Sequence, residues 1–336
     1  MSKPVLPLQF PGQPAYRLKQ VYQAVFKDCI SDWEQATVLP KALRQQCAGT
    51  APLSYQTDFY KSKDNRTTKA TLTLSDDSVI ETVLMRYPGR NSVCVSCQVG
   101  CPVNCSFCAT GQMGFKRNLT VWEIVSQVLV FARLLKEDGE RVQSVVYMGM
   151  GEPFLNYDAV LSSIRLLNDP NAFGLGARHI SISTSGIVPG IKKFTQENLE
   201  VNLAISLHAP NDTLRSELMP INNTYPLRQV MAVVTEYVRT TNRRVMFEYL
   251  LIDGLNDTEE CALQLAELMD QPLFMVNVIP YNPTGKYKPA SSKKVKEFIQ
   301  TLRQNHVAVT QRFSFGQDIK AACGQLATNR HRTDNK

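Results

Sequence analysis

Residues 94–118 read CVSCQVGCPVNCSFCATGQMGFKRN, and five of the chain's nine cysteines fall within the first fifteen of these positions. Cys101, Cys105 and Cys108 form a C-x3-C-x2-C run on a loop that follows a strand expected over 92–98. Three thiolates on a short loop can converge on one inorganic centre. Four would close an iron–sulfur cube, whereas three leave one iron without a protein ligand. An open metal position is what binds and activates a small molecule, as in catalytic as opposed to structural zinc sites. Phe107, just before the last ligand, is placed to shield a cluster and tune its potential. The competing reading is a structural zinc with a distant fourth ligand such as His208 or Cys97. Such sites usually use two C-x2-C pairs, and no second pair lies downstream.

The rest of the composition agrees with a globular enzyme. Hydrophobic residues make up 43% and charged residues 20% of 336 residues, enough for one large domain or two smaller ones. With 17 glycines and 18 prolines, the chain is neither collagen-like nor of low complexity. No apolar run approaches the roughly 18 residues of a membrane span, so no membrane partner is expected. The start, MSKPVLPLQFPGQP, lacks an apolar signal region. Nine cysteines without an export signal are not a disulfide framework, and a cytoplasmic protein with metal or redox chemistry is expected.

The net charge of +7 permits a polyanionic partner without requiring one. It is uneven: residues 1–90 carry 12 basic and 8 acidic side chains. Lys61, Lys63, Arg66 and Lys69 cluster near Tyr55, Phe59 and Tyr60. Basic residues among aromatics suit a phosphate backbone with stacked bases, although the same spacing suits a solvated strand edge.

Residues 1–90 read as a small α+β module. Helices are expected at 15–30 and 32–47, with Val21, Ala24, Val25 and Cys29 at helical spacing, and the alternation in 67–87 predicts a β-hairpin. Pro88-Gly89 is read as the link to residues 91–327. There strands expected at 92–98, 143–149, 178–184, 201–207, 244–252, 273–280 and 306–313 alternate with helices at 120–138, 157–168, 187–198, 226–241, 257–269 and 291–305. Thr120 suits an N-cap. About six βα units define an α/β fold with a parallel sheet, doubly wound or curled toward a barrel. Residues 328–336 read as a polar tail. In such folds chemistry gathers at the C-terminal ends of strands, where GMGEP (149–153), STSG (183–186), SLHAPND (206–212) and IPYNPTG (279–285) fall.

The cysteine run followed by GMGEP resembles the radical S-adenosylmethionine superfamily. CVSCQVGC, CATGQMGFKRNLT, MGMGEP, STSGIVP, SLHAPND, LMPINNTYP, FEYLLIDGLND, IPYNP and DIKAACGQL closely resemble the RlmN/Cfr RNA adenine methyltransferases, in that family's order and over roughly residues 14–327. The resemblance implies a partial (β/α)6 barrel with a [4Fe-4S] cluster on Cys101, Cys105 and Cys108. It implies S-adenosyl-L-methionine as cofactor, two molecules per turnover. The first methylates Cys323. The second yields a deoxyadenosyl radical that takes hydrogen from the S-methyl group, and the resulting thiomethylene radical adds to the adenine ring. Cys94 matches the cysteine that releases product by attacking the sulfur of Cys323, leaving a transient disulfide. Glu81 matches the base that removes the ring proton.

Gly151, Glu152, Ser183, Ser206, Leu207, His208 and Asn282 match the positions around the cofactor. The implied partners are large-subunit (23S) ribosomal RNA, for some members also transfer RNA, and an electron donor such as flavodoxin. A monomer is expected, with the basic module 1–90 gripping backbone while the barrel accepts a flipped-out adenine. Two positions depart from the family. Cys97 stands where serine is usual, and Phe315 precedes Gly316 where many C2-methylating members carry a basic residue. MGMGEP, STSG and SLHAPND lean toward C2 methylation, whereas Phe315 and ETVLMRY lean toward C8. C2 is the expectation and C8 the alternative. A radical enzyme acting on a non-RNA substrate and a zinc-dependent RNA-binding module are the other readings.

Overall fold

A computed structural model describes residues 14–312 and 314–327, without the side chain of Thr50. The expected tail at 328–336 and the end of the 306–313 strand lie outside the described residues. Twelve strands are present among them: β1 (Gln56–Lys61), β2 (Thr67–Thr73), β3 (Val79–Tyr87), β4 (Arg90–Cys94), β5 (Gln98–Gly100), β6 (Phe115–Asn118), β7 (Ser144–Tyr147), β8 (Ile180–Thr184), β9 (Asn202–Ser206), β10 (Val245–Leu251), β11 (Phe274–Pro280) and β12 (Val309–Gln311). Ten form one mixed sheet in the order β1-β2-β3-β4-β7-β8-β9-β10-β11-β12. The first four pair antiparallel, and every pairing from β4 to β12 is parallel. β5 and β6 pair separately, flanking the cysteine loop.

The parallel part arises as the alternation predicts. Runs of apolar, β-branched residues form β7 to β11, and the intervening amphipathic helices cover them. The helix Val121–Glu137 begins at Thr120, whose hydroxyl accepts from the Glu123 backbone N–H while the Glu123 carboxylate accepts from the Thr120 N–H. This reciprocal cap stops the chain from fraying just after the cysteine loop. The expected hairpin at 67–87 is β2 and β3, with the turn at Asp76-Asp77. Pro88-Gly89 turns the chain from β3 into β4, so the sheet runs unbroken across this point.

Two local expectations change. The helix expected over 32–47 is broken, because Ala36 leaves helical geometry and Pro40 caps a new helix, Lys41–Thr50. The strand expected over 92–98 ends at Cys94, and the backbone crosses under the loop after β7 before entering β5. Glycine is required at that crossing. A Cβ on Gly149 would lie 2.7 Å from the Val95 carbonyl oxygen, and one on Gly151, at φ +103°, would lie 2.6 Å from Gln98 Cβ. Side chains of β3, of β11 and of the segment after β12 all line one cavity, so the long sheet curls around it. No helix among the described residues is long and apolar enough to cross a membrane.

Candidate active site

The cavity lies at the C-terminal ends of the parallel strands. Cys94, Cys101, Cys105, Cys108, Gly151, Glu152, Ser183, Ser206, His208 and Cys323 all line it. Leu207, Asn282 and Glu81 do not line it; they are buried behind its wall.

The strand-end loops are locked by buried polar contacts. The Glu152 carboxylate accepts from the backbone N–H groups of Phe154 at 3.0 Å and Ser185 at 2.7 Å, and its own N–H donates to Gln98 at 2.8 Å. Burial raises its pKa, and these N–H donors oppose the rise. Ser183 Oγ and Ser206 Oγ lie 3.4 Å apart on neighbouring strands. Arg215 is fully buried and donates to the carbonyls of Leu207, Ser185 and Ser206 and to Asn222 Oδ1, tying the ends of β8 and β9 together. His208, in left-handed backbone geometry at φ 60°, accepts from the Leu250 N–H at Nδ1 and meets the Phe107 ring edge-on at 4.9 Å. Burial pushes its pKa down to about 3, so the imidazole is neutral.

Cys101, Cys105 and Cys108 stand between β5 and the short helix Ala109–Gln112. Among the described residues no three His, Cys, Asp or Glu side chains are already drawn into metal-holding geometry. The donor chemistry nevertheless fits an iron–sulfur cluster. Burial, helped by Glu152 and the neighbouring cysteines, pushes the thiols of Cys101 and Cys105 up, to about 12 for Cys101. Three thiolates cannot share so apolar a site unless a positively charged centre binds them. Cys97 is different: it is 2% exposed, packed in the core, and its carbonyl accepts from Asn156 and Leu119.

Cys323 sits on segment 314–327, which lines one side of the cavity. Asn282 donates to the Cys323 carbonyl, Ala109 N–H to the Gly324 carbonyl, and Thr110 Oγ1 to the Leu326 carbonyl. Glu81 faces this segment from β3. One of its carboxylate oxygens accepts from the Ala327 N–H at 2.9 Å, and the other lies 3.0 Å from Lys69 Nζ.

The sequence reading missed several residues here. Arg312 lines the cavity and donates to Met148 Sδ at 3.3 Å. Cys323 and Glu248 beside it raise its pKa against the opposing effect of burial, so it stays protonated. Glu248 also lines the cavity, and Asn277 donates to it at 2.9 Å. A lone carboxylate in the apolar run FEYLL was a usable signal for Glu248; Arg312 and Arg215 had none. Lys69 does not belong to the exposed basic cluster. It is 2% exposed, whereas Lys61, Lys63 and Arg66 face solvent.

A curled parallel sheet with a three-cysteine loop at its first strand defines a radical S-adenosylmethionine protein, and residues 95–266 match the radical SAM superfamily model. Of curated proteins, a probable dual-specificity RNA methyltransferase RlmN of Symbiobacterium thermophilum is 46% identical over 326 residues, covering 96% of this chain and 88% of that protein. The ribosomal RNA large subunit methyltransferase N of Nitrosopumilus maritimus is 45% identical over 329 residues, covering 95% and 94%. The crystal structure of a radical SAM methyltransferase from Sphaerobacter thermophilus superposes with a TM-score of 0.91 at 46% identity, covering 94% of each chain. The chain belongs to the RlmN family of radical S-adenosylmethionine RNA methyltransferases.

Proposed function

We propose that this protein methylates C2 of an adenine in large-subunit ribosomal RNA, and an adenine of transfer RNA as a second substrate, with Cys323 as methyl carrier. The observation that carries the reading is the sharing of one cavity by Cys94, Cys323 and the three cysteines of the 101–108 loop. An aromatic C–H is neither acidic nor nucleophilic, so a methyl group cannot pass to it directly from a sulfonium. A [4Fe-4S] cluster and S-adenosyl-L-methionine, used twice, would supply the methyl group, an electron and a hydrogen-abstracting radical.

The residues of the chain divide the remaining work. Cys101, Cys105 and Cys108 would hold the cluster. Gly151, Glu152, Ser183, Ser206 and His208 would hold the nucleotide, with Leu207 and Asn282 supporting from behind the wall. Cys323 takes the methyl group on sulfur and presents it to the base. Cys94 then attacks the Cys323 sulfur, and the S–S bond forms as the product carbon departs. Arg312, lining the same cavity as both thiols, favours the thiolate of Cys94, whose pKa burial pushes up to about 12. Glu81 can take the ring proton once it lets go of Ala327. Exposed Lys61, Lys63 and Arg66 would meet the RNA backbone. The Lys63 N–H donates to Asp318 at 2.9 Å, which sets that basic turn against the catalytic segment. A cytoplasmic monomer reduced by a flavodoxin-type donor completes the reading.

The C8 alternative has one observation in its favour: Phe315 packs edge-on against Tyr87 at 5.2 Å at the cavity wall, an apolar contact where many C2-type members carry a basic side chain. Methyladenosine isomers resolved by mass spectrometry, from ribosomal and transfer RNA of a deletion strain and its parent, separate the two. Loss of 2-methyladenosine in the deletion strain supports C2; loss of the 8-methyl isomer overturns it. With purified components, Cys323→Ala must abolish transfer, and Cys94→Ala must leave RNA covalently attached to the protein.

A further inference from the structure

We propose that Lys69 is a positioning residue for the methyl-carrying segment: through Glu81 it clamps the peptide unit between Leu326 and Ala327 and so fixes where Cys323 stands. The proposal deepens the reading of Cys323 as methyl carrier and rests on it. Lys69 pairs with Val83 across β2 and β3, and Thr71 pairs with Glu81. Lys69 and Glu81 are therefore diagonal neighbours on one face of the hairpin. Their charged groups meet at 3.0 Å, with each side chain only 3% exposed, and the Tyr60 ring covers the ammonium at 5.4 Å.

Glu81 does not spend its second oxygen on solvent. That oxygen accepts the Ala327 N–H at 2.9 Å, while Thr110 Oγ1 donates to the Leu326 carbonyl at 2.6 Å. These are the two polar groups of a single peptide unit. It is gripped on one side by the hairpin and on the other by the short helix directly after Cys108. Three and two residues upstream of Leu326, Asn282 and Ala109 hold the carbonyls of Cys323 and Gly324. The backbone at and just after Cys323 is thus registered against the hairpin and against the helix that follows the cluster loop.

Lys69 makes the clamp work because a buried carboxylate without a cation tends to take up a proton and becomes a weaker acceptor for the Ala327 N–H. A residue serving only as base for the RNA would have no influence on the earlier step. In that step the Cys323 thiolate forms its S–C bond as the methyl–sulfonium bond breaks, releasing S-adenosylhomocysteine.

The test uses reconstituted holoprotein without RNA and methyl-deuterated S-adenosylmethionine. Labelled methyl on the Cys323 peptide is followed by mass spectrometry, alongside iron content and thermal unfolding. Lys69→Met is expected to slow Cys323 methylation about tenfold, the scale of one lost charge-assisted bond, and Lys69→Arg should recover most of the rate. In Lys69→Met/Glu81→Met the apolar pair removes the uncompensated buried charge, so thermal stability returns. The methylation rate should stay low, because nothing accepts the Ala327 N–H. A wild-type rate in Lys69→Met, or a double variant that recovers rate together with stability, overturns the proposal. Wild-type protein that never gains a methyl group on Cys323 instead overturns the carrier reading beneath it.

Discussion

Asn282 Nδ2 donates to the backbone carbonyl of Cys323 at 3.1 Å, and the Asn282 Oδ1 accepts from Gln317 Nε2 at 2.7 Å. Asparagine before proline at a strand end reads as a turn residue or a ligand contact. Here it also braces the loop that carries Cys323. Asn282→Ala removes both bonds and should slow Cys323 methylation several-fold with iron content unchanged, the scale of one or two buried hydrogen bonds. Asn282→Asp keeps the volume but cannot donate to the carbonyl, and should be no better than alanine. Peptide mass spectrometry over time reads the rate; full-rate methylation in both variants would separate Asn282 from the loop.

Arg215 offers a second test. Burial lowers its pKa to about 10, so it stays charged at neutral pH, and backbone carbonyls of three strand-end residues depend on it. Arg215→Met leaves those carbonyls without their donor. It should cost about 3–5 kcal/mol of unfolding free energy and should weaken cofactor binding with it. Lysine, lacking the planar fork, should recover only part. Urea unfolding of the three proteins measures this, and a loss under about 1 kcal/mol would contradict the bracing role.

His208 predicts a pH dependence. Its pKa falls from 6.5 in the unfolded chain to about 3 in the folded one. Between those values the unfolded state takes up the proton and the folded state does not, so stability falls as pH drops below 6.5. From pH 6.5 to 5 this group alone removes about 2 kcal/mol. His208→Gln cannot titrate, and its unfolding free energy should therefore fall less between pH 7 and 5 than that of the wild type. Equal losses in the two proteins would show that His208 is not buried in the neutral form.

Gly151 sits at φ +103° with Gln98 against its Cα. Gly151→Ala combines backbone strain with a clash, together about 1–3 kcal/mol, and pushes the loop carrying Glu152 away from Gln98. Calorimetry should find weaker S-adenosylmethionine binding with no change in cluster content. Unchanged affinity would place the cofactor elsewhere.

Much of this was legible in the sequence because its signals are local. Apolar runs separated by amphipathic segments foretell the parallel strands, Thr120 foretells the cap, and the cysteine spacing foretells the loop. What escaped depends on partners far along the chain. Gln56–Lys61 mixes polar and aromatic residues because it is an edge strand. Gln98–Gly100 and Phe115–Asn118 are too short for a period to show. Lys69 looked like one more surface cation because its partner, Glu81, is found only when the hairpin closes. The helix Asp212–Leu218, capped by Asn211, is too brief for its periodicity to count.

The central claim is that the methyl group reaches RNA by way of Cys323 and not directly. Reconstituted protein, a ribosomal RNA fragment and S-adenosylmethionine bearing a CD3 group test it in one mass spectrum of the digested RNA. Passage through the Cys323 sulfur removes one deuterium when hydrogen is abstracted, so the account predicts methyladenosine carrying two. Methyladenosine carrying all three would mean direct transfer and would contradict the account.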